Sequence, residues 1–246
     1  MPEFFTEHQR MANFLAIDTS TDACSLALLR DGELSECHEI VPRQHSQRLF
    51  GMLRELLPHG RLREQGVDAV VYGEGPGSFT GLRVCASAVQ GLCFAASLPA
   101  IPVSTLTAQA YTALREGLAG DGDLLLSTLD AQIGELYWSL CRVSGEHIEL
   151  VEGPRVAPPH ACAVGEASRE LVVVGSGLVH REALPADLAA RIGAAYPDLL
   201  PRARDLLPAA GRAWEAGRVL RADAVRPVYV RDEITWKKIP QQGRPD

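Results

Sequence analysis

The strongest constraint on how this chain can fold is an internal repeat of strand patterns. Near the start, three short runs follow one another: Asn13 to Thr19, Ala23 to Leu29, and Glu33 to Val41, the last entered through the tight two-residue turn Asp31-Gly32. Later the same rhythm returns in Leu124 to Asp130, Glu135 to Val143 and His147 to Glu152. The two first hairpins align as IDTSTDACSLALL against LDAQIGELYWSL, so Asp18 and Asp130 close equivalent strands. A repeat of this kind predicts two copies of one supersecondary unit.

The intervening segments complete the unit. Between His45 and Pro58, Leu49, Phe50, Leu53, Leu56 and Leu57 recur at helical spacing. Asp68 to Tyr72 reads as a buried strand, followed by the loop GEGPGSFTG, an apolar helix from about Leu82 to Ala96, a strand Pro99 to Ser104 and a helix from about Leu106 to Glu116. After the second meander come a helix over about 159–170, a strand Leu171 to Gly175 and further helices. A repeated β-β-β-α-β-α unit predicts an α/β protein of duplicated ribonuclease-H-like lobes, the actin/Hsp70/sugar-kinase (ASKHA) architecture. The expected lobes are 11–116 and a smaller 117–246 with a carboxyl tail. Fold alone does not assign a function.

Residues 1–10, MPEFFTEHQR, carry acids where an export signal needs bases and precede Met11, so they are set aside as an upstream extension. No apolar run approaches the roughly 20 residues of a membrane span, and a cytoplasmic location without a membrane partner is expected. The 24 basic and 31 acidic residues among 246 give a net charge of −7. A stand-alone nucleic-acid binder uses a positive field, so any contact with RNA is expected to be local or shared with a partner. The six cysteines form no C-x-x-C pair and the seven histidines never fall four apart, so no metal is expected and the thiols read as reduced core residues.

Candidate chemistry concentrates at strand ends. The loop from Gly73 to Arg83, including Gly75, Gly77 and Ser78, lies between a strand and a helix, where backbone amides cradle an anion or where Ser78 or Thr80 simply caps the helix. It matches neither the dinucleotide fingerprint nor the P-loop. Asp18 beside Thr19, with Asp130 facing it from the second lobe, suits a phosphate or magnesium contact, or equally an Asx turn. Gly175-Ser-Gly177 is a weaker nucleotide signal, His45 beside Ser46 reads as a helix cap, and no G-x-S-x-G nucleophile elbow occurs. Seven bases at 218, 221, 226, 231, 237, 238 and 244 give the carboxyl end a local positive balance that suits a solvated tail or a phosphate backbone. Two helix faces complete the set. Arg83, Ser87, Gly91 and Phe94 fall outward on one helix, and Arg48, Met52 and Glu55 fall opposite the leucines of the earlier one. Together they suit pairing with another subunit.

Several of these elements stand together in one known pattern. The run I-D-T-S-T-x-A-C-S-x-A from Ile17, Q-H-S-Q-R-L from Gln44, G-x-G-P-G-S-F-T-G-L-R from Gly73, V-S-T-L from Val103, D-A-x-x-G-E-x-Y from Asp130 and P-V-Y-V-R-D-E-I-T-W-K-K-I-P from Pro227 closely resemble the TsaB (YeaZ) family, from Met11 to about Pro240. The resemblance implies a non-catalytic scaffold subunit in the formation of threonylcarbamoyladenosine next to the tRNA anticodon. It implies a TsaD-like partner bearing the catalytic metal, a TsaE-like ATPase, tRNA met through the complex, and a homodimer when the chain is alone. ATP is then used by the complex and no cofactor is assigned to this chain. The competing reading from the residues is a free-standing ASKHA-type ATPase or small-molecule kinase using Asp18, the 73–81 loop and Asp130; a metalloprotease lacks ligands.

Overall fold

A strand that is apolar at nearly every position needs cover on both faces, and the computed structural model, which describes residues 11–59, 61–165 and 169–230, places each such strand at the centre of a sheet. The first sheet has the order β3-β2-β1-β4-β5, built from β1 (Phe14–Asp18), β2 (Ala23–Arg30), β3 (Glu33–Ile40), β4 (Ala69–Gly75) and β5 (Ala100–Ser104). β1 pairs antiparallel with β2 and parallel with β4, in the register Ala16 to Ala27 and Ala16 to Val71. The second sheet has β6 (Leu124–Asp130), β7 (Leu136–Ser144), β8 (His147–Ala157), β9 (Leu171–Val174) and β10 (Ile192–Tyr196) in the order β10-β9-β6-β7-β8. Its central β6 is likewise antiparallel to β7 and parallel to β9. The two sheets therefore share one strand order and one pattern of directions, and the chain has an α/β fold of the actin, Hsp70 and sugar-kinase type.

Alternation along the strands divides four apolar clusters. Leu15, Ile17, Val70 and Tyr72 face outward from the first sheet under α1 (His45–Leu56) and α2 (Phe79–Ala96). Phe14, Ala16, Val71 and Ile101 face inward. In the second sheet Leu124, Leu126, Trp138 and Leu140 face outward, and Leu125, Cys141, Val143 and Val174 face inward. The inner layer is exchanged between the halves. α3 (Thr105–Arg115) packs Ala110, Tyr111 and Ala113 on the second sheet, whereas a 3-10 turn (Ala203–Leu206) and α5 (Leu207–Glu215) pack Ala203, Leu206 and Ala210 on the first. Eight of the eleven residues of α3 are buried, Gln109 and Thr112 among them, as a helix enclosed by two sheets requires. Asp205, itself buried, ties the exchanged elements together by accepting from Thr112 Oγ1 at 2.7 Å and from Arg115 Nε at 2.8 Å.

Some sequence expectations change. Over 159–170 the described residues hold one 3-10 turn, Pro159–Ala161, in place of the expected helix, and the chain leaves it at Cys162, whose backbone is extended. β10 is an additional strand in a stretch expected to be helical. The short α4 (Ala186–Ala189) precedes it. Residues 203–228, placed with the second lobe by the sequence, return to the first sheet, where Leu220 bridges to Ala100 and Val225 enters the first outer cluster. The extension 1–10 and the bases at 231, 237, 238 and 244 lie outside the described residues. α2 is long and apolar enough to cross a membrane by length and composition alone, but its Leu82, Cys85, Ala86, Val89 and Cys93 are buried in the protein core.

Candidate functional site

The ends of the central strands hold the candidate anion site, and there the glycines serve close packing of one backbone on another. Asp18 is fully buried; its Oδ1 accepts from Ser20 N at 3.0 Å and from Ser20 Oγ at 2.8 Å, which is an Asx turn. Its Oδ2 has no hydrogen-bond partner and lies where a side chain on Gly73 would begin. Burial pushes the Asp18 carboxyl above the usual carboxylate range against the opposing pull of the Ser20 bonds. Thr19 donates from Oγ1 to Gly81 O at 2.7 Å, and Ser78 N donates to Ser20 O at 2.7 Å. A Cβ on Gly77 would strike Ser20 O, and one on Gly81 would strike Thr19 O.

A strap from the carboxyl side closes the same loop. Val228 N donates to Glu74 O at 2.7 Å, and Tyr72 Oη donates to Arg226 O at 3.2 Å. Gly75 has φ +121° and its missing Cβ would come within 2.7 Å of Val228 O, so both backbone conformation and space demand glycine. Ser78 caps α2 by accepting from Gly81 N. The Ser78 and Gly81 amides are thus engaged by the protein itself, an arrangement that does not fit a phosphate cradle.

The second lobe repeats the device. Gly175, at φ +95°, lies against Thr128 O, and Gly177 lies against the Thr128 side chain. Asp130 is half-buried and accepts from Gln132 N at 2.9 Å and shares a 3.1 Å contact with His180 Nε2. Asp18 and Asp130 occupy equivalent strand ends, but each is committed to its own turn. Among the described residues no group of three or more His, Cys, Asp or Glu is placed to hold a metal ion. All six cysteines are free thiols, and burial pushes those of Cys24, Cys93 and Cys162 up to about 12.

The helical face differs in kind. On α2, Arg83, Ser87, Gly91 and Phe94 are all exposed, Phe94 at 81%. α1 is turned about one residue from the orientation its sequence suggests. Its buried residues are His45, Leu49 and Met52, while Phe50 is 49% exposed. Met52 is therefore a core residue and is withdrawn from the partner face, because the stripe His45, Leu49, Met52, Leu56 meets the first sheet at spacings of three and four. His45 is not a cap: Gln44 holds the N-cap position without a side-chain bond. Arg48 reaches back to β3, donating from Nε to Glu39 Oε2 at 2.7 Å, and Glu55 stays exposed beside it. Sequence reasoning missed Phe79 and Tyr229, an exposed aromatic pair with ring centroids 5.6 Å apart that Arg83 joins by lying 3.7 Å over the Phe79 ring. The strap that brings Tyr229 to α2 leaves no local pattern in the sequence.

A two-sheet α/β protein with its strand ends filled by its own chain belongs to the actin-like class. Residues 38–216 match the family described as TsaD, tRNA N6-adenosine threonylcarbamoyltransferase. The chain is 37% identical over 235 residues to the tRNA threonylcarbamoyladenosine biosynthesis protein TsaB of Escherichia coli, covering 92% of this chain and 97% of that protein. It is 34% identical over 240 residues to the TsaB protein of Haemophilus influenzae, covering 92% and 96%. It superposes on YeaZ from Pseudomonas aeruginosa with a TM-score of 0.80 at 38% identity, over 89% of this chain and 100% of that one. The chain belongs to the TsaB (YeaZ) family.

Proposed function

We propose that this chain is a non-catalytic scaffold subunit of the machinery that forms threonylcarbamoyladenosine next to the anticodon of tRNA, where it pairs with and activates a TsaD-family subunit. Family membership supports the pathway. The observation that carries the non-catalytic role is the strand-end packing: the Ser78 and Gly81 amides are taken up by Ser20 O and Ser78 Oγ, and Ser20 O, Thr19 O and Val228 O press on Gly77, Gly81 and Gly75. The face formed by Arg48, Glu55, Ser87, Gly91 and Phe94 is the surface offered to the partner, and to a second copy when the chain is alone. ATP belongs to the complex through a TsaE-like ATPase, tRNA is met through the complex, and the setting is the cytoplasm.

In this reading the two sheets are copies of one ribonuclease-H-like unit. Residues 11–116 together with 200–230 form the larger lobe, and 117–199 form the smaller. The test is to combine the purified chain with a TsaD-family subunit, a TsaE-like ATPase and tRNA, and to measure threonylcarbamoyladenosine with and without this chain. Modification is expected only when it is present, and ATP turnover by the chain alone is expected to be nil. Steady ATP hydrolysis by the isolated chain would replace this reading with that of a free-standing ATPase. Gly91→Arg and Phe94→Glu are expected to leave the fold intact and weaken pairing.

A further inference from the structure

The first of the bases that close the sequence, Arg218, stands beside a groove. α5 ends in a Schellman turn, in which Gly217, at φ +67°, donates to Trp214 O at 2.9 Å and Arg218 N donates to Ala213 O at 2.8 Å. Two residues on, Leu220 bridges to Ala100 at the edge of β5, so the backbone on both sides of Arg218 is fixed. Where β5, the start of α3 and α5 meet, this path leaves a groove of about 300 Å³ whose polar groups are Ser104, Thr107, Arg212 and Arg218, and no carboxylate lines it. Both arginines keep their charge uncancelled. Arg218 has no side-chain partner among the described residues. Arg212 turns to neutral groups, giving Nη1 to His147 Nδ1 at 3.1 Å and Nη2 to Ile148 O at 3.5 Å. Ser104 holds the N-cap position of α3 without a cap bond, so its hydroxyl is not spent there. Guanidinium and hydroxyl donors around a groove without carboxylates are the chemistry that recognises a phosphate group.

We propose that this groove holds a backbone phosphate of the tRNA, which gives the chain a contact of its own with the RNA. The inference rests on the reading of the chain as a subunit of the tRNA-modifying machinery and adds the place where RNA touches it. Position supports it. Val103, Ala209 and Ala213 in the groove belong to the inner layer of the first sheet, whereas α1 and α2 cover the outer face, so a subunit docked on those helices leaves the groove open. Charge supports it as well. With a net charge of −7 the chain repels RNA at a distance, and two arginines that grip one phosphate at contact range are what such a surface can still offer. Other occupants fit less well. Pro102, also in the lining, has no amide with which to take up a further strand, and no aromatic ring lines the groove to stack the base of a free nucleotide.

The experiment uses the full chain assembled with a TsaD-family subunit and reads tRNA affinity against salt concentration. Arg218→Gln is expected to weaken binding about threefold and Arg212→Gln with Arg218→Gln about tenfold, the double variant lowering the slope of log affinity against log salt by about one, as loss of a single phosphate contact does. Arg218→Gln carries the test by itself, since it breaks no contact within the chain; its melting and its pairing with the TsaD-family subunit are expected to be unchanged. Arg181→Gln, which removes an exposed arginine from the outer side of the second sheet, is expected to leave affinity and slope as they were. Unaltered affinity and slope in both groove variants, with the parent complex binding tRNA, would overturn the groove alone. An equal loss in Arg181→Gln would overturn it too, by reducing the effect to net charge. Inorganic phosphate that raises the melting temperature of the parent chain but not of Arg218→Gln at equal ionic strength, with tRNA affinity the same in both, would replace the RNA by a small phosphate compound. A parent complex that binds no tRNA would instead remove the reading of the chain as part of that machinery, and this contact with it.

Discussion

The two sheets share a strand order but not a cover. The first carries two full helices on its outer face, α1 of 12 residues and α2 of 18, whereas the second carries a 3-10 turn of eight residues, Ser176–Ala183, and the four-residue α4. Trp138, with Leu136, Leu140, Cys162, Leu178 and Leu188 around it, fills much of the second outer cluster. A large side chain in the sheet thus does there what a helix does elsewhere. The contrast separates what a sheet needs from what the molecule adds: burial of a sheet face is met by thin cover, so the longer helices of the first half are free to present Arg83, Ser87, Gly91 and Phe94 outward.

The largest effect that would sharpen this comparison lies at the paired strand ends. Gly81→Ala drives a Cβ into the Thr19 backbone carbonyl, whereas Gly177→Ala meets the Thr128 side chain at 2.6 Å. The first is expected to cost about 3 kcal/mol and the second about 1–2 kcal/mol in denaturant unfolding, since the overlap at 1.9 Å is deeper than the one at 2.6 Å. Equal losses would mean that the two strand ends are equally rigid.

Next in size is the link between the sheets. Asp205→Ala removes the acceptor shared by Thr112 and Arg115 and is expected to cost about 2 kcal/mol, below the full value for a buried pair because Arg115 retains access to water. Melting monitored at Trp138 and at Trp214, one in each inner or outer cluster, is expected to remain coincident. Separate transitions would show that the lobes are held together chiefly by this pair.

A smaller effect concerns the buried carboxylate at the first strand end. A carboxyl whose folded pKa is raised binds its proton more tightly in the native state, so it supports folding below its unfolded pKa, and that support is lost as pH rises toward the folded value. Asp18→Asn is therefore expected to stabilise the protein relative to the parent at pH 7, with the gain shrinking as pH falls to 4 and below. The check is a pair of melting curves against pH; a gain that is flat with pH would contradict the burial-driven shift.

The smallest change concerns the open face. Gly91→Ala adds a methyl into empty space within a helix and is expected to stabilise the monomer by up to about 1 kcal/mol through helix propensity. Any loss of monomer stability, measured under conditions where pairing is absent, would mean that Gly91 is packed within the chain.

Much of this architecture is legible from residues alone because it depends on local pattern. The apolar runs Leu124 to Asp130 and Ala23 to Leu29 have the length, continuity and bounding turns of buried strands, and the small-residue helix around Ala86 and Val89 announces its burial. β10 escaped because Ile-Gly-Ala-Ala-Tyr has little β-branched character, and its strand state comes from pairing with β9. The rotation of α1 escaped because Leu49, Met52, Phe50 and Leu53 offer two adjacent apolar stripes, and only the sheet beneath selects between them. At the strand ends the glycine spacing identified a close approach, but whether a ligand or a backbone approaches is decided by residues as distant as Val228.

The exchange of inner helices has a consequence for how the protein is made. The rings of Phe14 and Trp214 pack edge to face at 5.8 Å, joining the first described strand to the last long helix. During synthesis the first sheet can form its strands early and α3 can cover part of its inner face, yet the rest stays uncovered until α5 has left the ribosome, after the entire second sheet has been translated. Contacts of such long sequence separation slow folding and prolong the exposure of apolar surface. A nascent chain arrested before Leu207 is thus expected to hold an unfinished first sheet, and the quality of the last helix governs the fate of the first strand.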